Sequence, residues 1–162
     1  MNFELREYTT NDRKELVRCM EELQDYIVSV DALKRVRRAL EFGEVYTKWL
    51  LGVIAKENGI IYFAEQDGKV VGCVAGMLPP QSLAEQAGGI PSEYGRVQEL
   101  YVDEKYRGQG IGQALMKKME EYFRGKGCDI VYVDVFAPNK NAYEFYRECG
   151  YADRDINLMK RL

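Results

Sequence analysis

The chain has 162 residues, 46% hydrophobic and 30% charged, which fits one soluble globular domain spanning 1–162. A net charge of −3 argues against nucleic acid as a partner, and the absence of His excludes Ser-His and Cys-His nucleophile pairs and a His general base. Four cysteines without a C-x-x-C spacing give no metal site and fit a reducing cytosol, while a charged, alternating start and the lack of a long apolar run point to a cytoplasmic protein with no signal peptide and no membrane partner.

The first element is "FELREYT", whose alternation predicts a strand over roughly 2–8. A helix follows from a cap at Thr9 or Thr10, with Leu16, Met20, Leu23 and Ile27 at helical spacing. "DALKRVRRALEF", residues 31–42, predicts a second helix ending at Gly43. "EVYTKWLLGVIAKEN" predicts a third, with Val45, Trp49, Leu50 and Val53 on one face and Asn58-Gly59 as its stop. "IIYFAEQ" and "KVVGCVAGML" are β-branched runs joined by Asp67-Gly68, a hairpin signal. Residues 79–95 read as a long polar loop of the kind that is often functional or disordered. "RVQELYV" is a strand that runs into "DEKYRGQG", and Ile111, Leu115, Met119 and Tyr122 mark an amphipathic helix after it. "DIVYVDVFA" is another strand, "NKNAYEFYREC" a helix stopped by Gly150, and "YADRDINLMKRL" one final strand. The order predicts an α/β (α+β) domain whose sheet has helices on both faces.

The run "YRGQGIGQAL" puts three glycines directly before a helix, although glycine costs helix stability. A helix N-terminus offers unpaired N–H groups and the positive end of a dipole, and glycine lets a ligand approach the backbone, so the run reads as a phosphate cradle. A turn that only tightens strand–helix packing explains the same glycines equally well. A Walker loop is excluded because no Gly-Lys-Ser/Thr follows, and the G-x-G-x-G spacing fits a dinucleotide fingerprint poorly.

Taken with "NKNAYEFYRECGY" further on, the unit Arg107-x-x-Gly110-x-Gly112 after a strand closely resembles the GNAT (Gcn5-related N-acetyltransferase) superfamily. The resemblance rests on residues 96–151, including Asn139, Ala142, Tyr146, Gly150 and Tyr151, and agrees in element order over the whole chain. It implies a mixed, mostly antiparallel central sheet and acetyl-coenzyme A as cofactor. The backbone of Arg107, Gly108, Gln109, Gly110, Ile111 and Gly112 would bind the pyrophosphate, with Arg107 also reaching a phosphate. The pantetheine arm would run along Leu100, Tyr101 and Val102, between that strand and a partner at 130–136. Asn139 would hydrogen-bond the arm, or cap its helix, or both.

By the same resemblance Tyr146 is the general acid for the leaving thiolate; read from the residues alone it is equally a core aromatic beside Phe145. For the base there are two carboxylates. Glu99 lies on the face of its strand opposite Leu100 and Val102, and Asp134 lies twelve residues before Tyr146, a spacing used in the family's ribosomal-protein acetyltransferases. Glu99 ranks slightly first; a solvated or paired strand charge is the competing explanation for each.

The implied activity is direct transfer of acetyl from acetyl-coenzyme A to a primary amine of a small molecule or protein, with no acyl-enzyme. Cys73 and Cys128 read as packing residues rather than nucleophiles. The acceptor site would be built from about 24–45, 79–95 and 152–162, and its short C-terminal wall leaves room for a second subunit, a homodimer. The basic stretch in 31–42 fits either a carboxylate on the acceptor or a solvated face. A coenzyme A sensor without turnover, and a nucleotide-phosphate binder of another fold, are the alternatives; the presence of Tyr146 and both acids favours the enzyme.

Overall fold

The computed structural model describes residues 2–90 and 92–160. Alternating and β-branched runs form β1 (Glu4–Glu7), β2 (Ile60–Gln66), β3 (Lys69–Met77), β4 (Tyr94–Val102) and β5 (Ile130–Val133). The segments of helical period form α1 (Arg13–Val30), α2 (Phe42–Lys56), α4 (Ile111–Gly125) and α5 (Lys140–Glu148), with a short α3 (Leu83–Gly88) between β3 and β4. The strands lie in the order β1-β2-β3-β4-β5, antiparallel up to β4, with β5 parallel to β4. The β2–β3 hairpin turns at Asp67 and Gly68, both at positive φ (51° and 72°), as its Asp-Gly pair predicts.

Each face of the sheet is covered. Leu16, Cys19 and Met20 of α1 and Leu50 of α2 bury against Phe63, Cys73 and Tyr101. Leu115, Met119 and Phe123 of α4 and Tyr146 of α5 bury against Val74 and Val97 on the other side. Helices on both faces are what the element order predicts, and the mixed, mostly antiparallel sheet is the one the family resemblance implies.

Phe123 lies flat on the sheet because glycines make room for it. A Cβ on Gly95 would stand 2.3 Å from the Phe123 ring, and one on Gly76 would stand 2.6 Å from both Phe123 and Met119. Gly95→Ala should therefore overpack this core and cost about 1–3 kcal/mol in chemical denaturation. Adding Phe123→Leu should recover part of that loss; a Gly95→Ala protein of wild-type stability would show that the ring yields freely.

Several elements differ from their sequence-based expectations. Residues 31–41 are turn and loop rather than a helix. The Asp31 carboxylate accepts the amides of Leu33 (3.0 Å), Arg35 and Val36 (2.7 Å), and Lys34 takes a positive φ of 51°. An aspartate that gathers the following amides competes with the helical ladder and wins here. Gly43 consequently lies inside α2 rather than ending a helix. The buried face of α2 is Gly43, Thr47, Leu50 and Ile54, whereas Val45 and Trp49 are exposed. The polar stretch 79–95 is not all loop: Ser82 caps α3, exchanging hydrogen bonds with Glu85. β5 stops at Val133, so 134–136 are not strand, and residues 152–160 form no strand, leaving Ile156 and Leu158 exposed.

The alternation of β4 breaks once. Ala75 pairs with Glu99 and Gly76 with Val97, so Gln98 is an extra residue in the ladder. Strict alternation would put Val97, Glu99 and Tyr101 on one face. With Gln98 inserted, Val97 packs under α4 while Tyr101 packs under α1.

Candidate active site

The parallel pairing of β4 with β5 runs from Tyr94↔Ile130 to Val97↔Val133 and ends there. β4 continues to Val102 with β3 on its other side, so from Gln98 onward its outer edge has no strand partner. The two strands separate just past the bulge. A cleft of about 230 Å³ opens between them, walled by Leu23 and Ile27 of α1, Phe42 and Tyr46 of α2, and Ala142 and Tyr146 of α5. Gln98, Glu99 and Leu100 form its floor, and Asp134, Val135 and Asn139 its far side.

At the end of β4 the glycine run closes a short turn. Gly108 and Gly110 take φ of 74° and 82°, left-handed conformations that glycine adopts without strain, and a Cβ on either would project into open space. Gly110 is the N-cap of α4. The amides of Tyr106, Arg107 and Ala114 are satisfied by turn and helix carbonyls, whereas among the described residues no such bond is made by the amides from Gly108 to Gln113. Unpartnered donors at the start of a 15-residue helix, with open space beside Gly108 and Gly110, suit a pyrophosphate. The packing explanation holds at Gly112: a Cβ there would stand 3.1 Å from Phe145, so this glycine serves the packing of α4 on α5. Ile111 points into the core. Gln109 Nε2 donates to the Lys105 carbonyl (3.3 Å). Arg107 Nε donates to the Val102 carbonyl (3.1 Å), and its guanidinium lies 5.1 Å from the centre of the Tyr26 ring.

The bulge at Gln98 sets the direction of Glu99, which faces α2 from the unpaired stretch of β4. The Tyr46 hydroxyl donates to Glu99 Oε1, and Gln98 Nε2 approaches the same oxygen at 3.5 Å. Burial raises the carboxyl pKa above the usual range, and these two donors only partly offset it. Among the described residues Glu99 has no ion-pair partner. Tyr146 is 8% exposed, held edge-on between Phe145 (5.3 Å) and Tyr151 (5.8 Å). Its hydroxyl has no hydrogen-bond partner among the described residues, although its ring borders the cleft. Burial raises the Tyr146 pKa, and the charge of Glu99 raises it further, so the two groups feel each other across the cleft.

Asp134 sits differently. It lies just beyond β5, its side chain is 79% exposed, and Arg96 pairs with it. Asn139 caps α5 by accepting the Ala142 amide (3.1 Å) and also accepts the Tyr26 hydroxyl (3.3 Å), which ties α1 to α5 beside the cleft. The Tyr101 hydroxyl donates to Glu22 on the α1 face, so Tyr101 presents its backbone rather than its side chain along the open edge. Sequence reasoning missed Tyr46, Gln98 and Tyr26. Tyr46 lies one turn after Phe42, a spacing that could have marked an aromatic ridge; nothing in the sequence signals the bulge that brings Glu99 to it.

The sequence profile of the acetyltransferase (GNAT) family matches residues 18–151. An uncharacterized N-acetyltransferase from Methanocaldococcus jannaschii is 34% identical over 68% of this chain and 46% of its own length. A second uncharacterized N-acetyltransferase from that organism is 30% identical over 78% of this chain and 74% of its own. The chain thus spans about half the length of the first relative and about three quarters of the second. A solved Bacillus halodurans protein superposes with a TM-score of 0.85 over 98% of this chain and 99% of its own, at 19% identity, a likeness of fold. With the glycine turn before α4, the parting of β4 from β5 and a profile match over most of its length, the chain belongs to the acetyltransferase (GNAT) family.

Proposed function

We propose that this chain transfers acetyl from acetyl-coenzyme A directly to a primary amine. The observation that carries the reading is the convergence of a half-buried carboxylate, Glu99, and an unpartnered phenol, Tyr146, on the cleft where β4 leaves β5. Acetyl-coenzyme A, when bound, supplies an acetyl group activated as a thioester. The chain's own residues do the rest. The free amides from Gly108 to Gln113 hold the pyrophosphate, with Arg107 beside them. The open edge at Leu100 to Val102 offers backbone groups to the amides of the pantetheine arm, as an added strand would. Asn139 Oδ1 is already engaged, which leaves its Nδ2 for the arm. Glu99 takes a proton from the acceptor ammonium, directly or through water, so that the amine can attack. Tyr146 keeps its proton at neutral pH, because burial disfavours the phenolate, and has it ready for the departing thiolate. Asp134, exposed and paired with Arg96, ranks behind Glu99 as the base.

The test is binding before turnover. Acetyl-coenzyme A at 100 times its dissociation constant should stabilise the fold by about 2.7 kcal/mol. Gly110→Asp should abolish that shift by setting a carboxylate among the amides, whereas Gly110→Asn, with equal strain at φ 82° and no charge, should keep most of it. An unchanged melting temperature of the wild-type protein at millimolar cofactor would overturn the assignment.

A further inference from the structure

From the charge and shape of the acceptor side of the cleft, and resting on the transfer reading above, we infer that the acceptor is a monoamine with an apolar, aryl- or alkyl-bearing body and no carboxylate or phosphate. Three observations meet here. Among the described residues no Lys or Arg lines the cleft. Three arginines near it already have partners: Arg96 is paired with Asp134 on the far side of the cleft, Arg38 with Asp25 and Glu21, and Arg107 with the Val102 carbonyl and the Tyr26 ring. An anionic group on the acceptor would lose its water inside the cleft and meet the Glu99 carboxylate instead of a cation.

The count of negative groups sets the second limit. Two carboxylates border the cleft, Glu99 and Asp134, and Asp134 is neutralised by Arg96. One unpaired carboxylate matches one ammonium. A second ammonium on the same molecule would enter without a counter-charge.

The third observation concerns the body of the acceptor. Phe42 and Tyr46 stack along α2 with centroids 5.1 Å apart and planes 14° from parallel, and Trp49 continues the row 5.1 Å beyond Tyr46. The first two rings wall the cleft and Tyr46 reaches Glu99 at its floor. Met20, Leu23 and Ile27 face them from α1. An apolar body is desolvated between these walls while its ammonium meets Glu99, with the aromatic faces adding a cation–π attraction.

The closing experiment separates this inference from the transfer reading, because Trp49 is the only Trp of the chain and its ring packs at a tilt against the cleft residue Tyr46. Its fluorescence follows acceptor binding with no cofactor present. Phenethylamine and phenylalanine differ only by a carboxylate, and spermidine adds ammonium groups without an aryl body. Phenethylamine should give a saturable change, with phenylalanine and spermidine each weaker by about tenfold or more, as expected for an uncompensated buried charge. Glu99→Gln should weaken phenethylamine, and Phe42→Ala should weaken it without restoring phenylalanine. Phenylalanine or spermidine binding as tightly as phenethylamine overturns the inference, and so does the absence of any saturable change with phenethylamine. Thiol release with acetyl-coenzyme A is then measured on the same amines. Turnover of phenylalanine but not phenethylamine would overturn the inference and leave acetyl transfer standing. Selective binding of phenethylamine with no thiol released from any amine would support the inference and remove the transfer reading.

Discussion

Tyr146→Phe should leave the fold almost untouched and reduce turnover by roughly 10²-fold or more, the usual effect of losing a general acid. The structure makes the two halves of this expectation separable. The Tyr146 hydroxyl bonds to nothing among the described residues, so its removal breaks no hydrogen bond. The ring keeps its edge-on contacts with Phe145 and Tyr151, because Phe preserves both the shape and the rotamer. Removing a largely buried polar atom without a partner is neutral or slightly stabilising. Thermal unfolding should therefore shift little, and upward if at all. Acetyl-coenzyme A affinity should stay within a few-fold, since the amides before α4 and the open edge of β4 are unaltered. The measurement is a pair of thiol-release and thermal-shift assays on the two proteins. Wild-type turnover by the Phe protein would reduce Tyr146 to a packing residue and leave the departing thiolate to be protonated by solvent; no turnover by either protein would favour a coenzyme A sensor.

The parts of the site that were legible in the sequence are those fixed by local rules. Glycines at positive φ before a helix, an Asn that caps α5 and the left-handed Gly150 (φ 92°) that closes it are each determined by a few neighbouring residues. So is most of the buried stripe of α4, Ile111, Leu115 and Met119, although Phe123 rather than Tyr122 completes it. The parts that were not legible depend on contacts far away in the chain. The bulge at Gln98 falls beside Gly76, where the Phe123 ring of α4 sits against the sheet, a contact distant in the chain from β4. Val45 and Trp49 share the predicted face with Leu50, yet α2 buries Leu50 beside Thr47 and Ile54 and leaves those two outside, with Gly43 packed closely on Glu21 of α1. The basic segment 31–41 has helical composition, but one carboxylate, Asp31, collects its amides first. Asp134 keeps the twelve-residue spacing to Tyr146 but falls past the last paired residue of β5, where it is free to turn outward to Arg96.

Glu99→Gln should lower turnover by roughly 10²- to 10⁴-fold at neutral pH, the range for a positioned general base, while cofactor affinity changes little. The amide keeps an acceptor oxygen for the Tyr46 hydroxyl, so the aromatic wall holds its place. The pH profiles supply the sharper check. Burial raises the Glu99 pKa, so in the wild-type protein the rising limb of turnover should lie above the ordinary carboxylate value of 4.5, and it should disappear in the Gln protein. Stability should respond with the opposite sense. Between the ordinary value and the raised one, the folded state binds the Glu99 proton that the unfolded state has released, so stability falls as pH rises through that window. The cost is absent below 4.5, where both states are protonated, and complete above the folded-state pKa. Glu99→Gln removes this dependence, so the variant should match or exceed the wild-type stability at neutral pH while losing its activity. A carboxylate held in this way is unfavourable to the fold and useful to the chemistry, because its proton affinity lies closer to that of the working pH. Full turnover by Glu99→Gln together with an inactive Asp134→Asn would assign the base to Asp134. Full turnover by both variants would mean that solvent takes the proton from the amine.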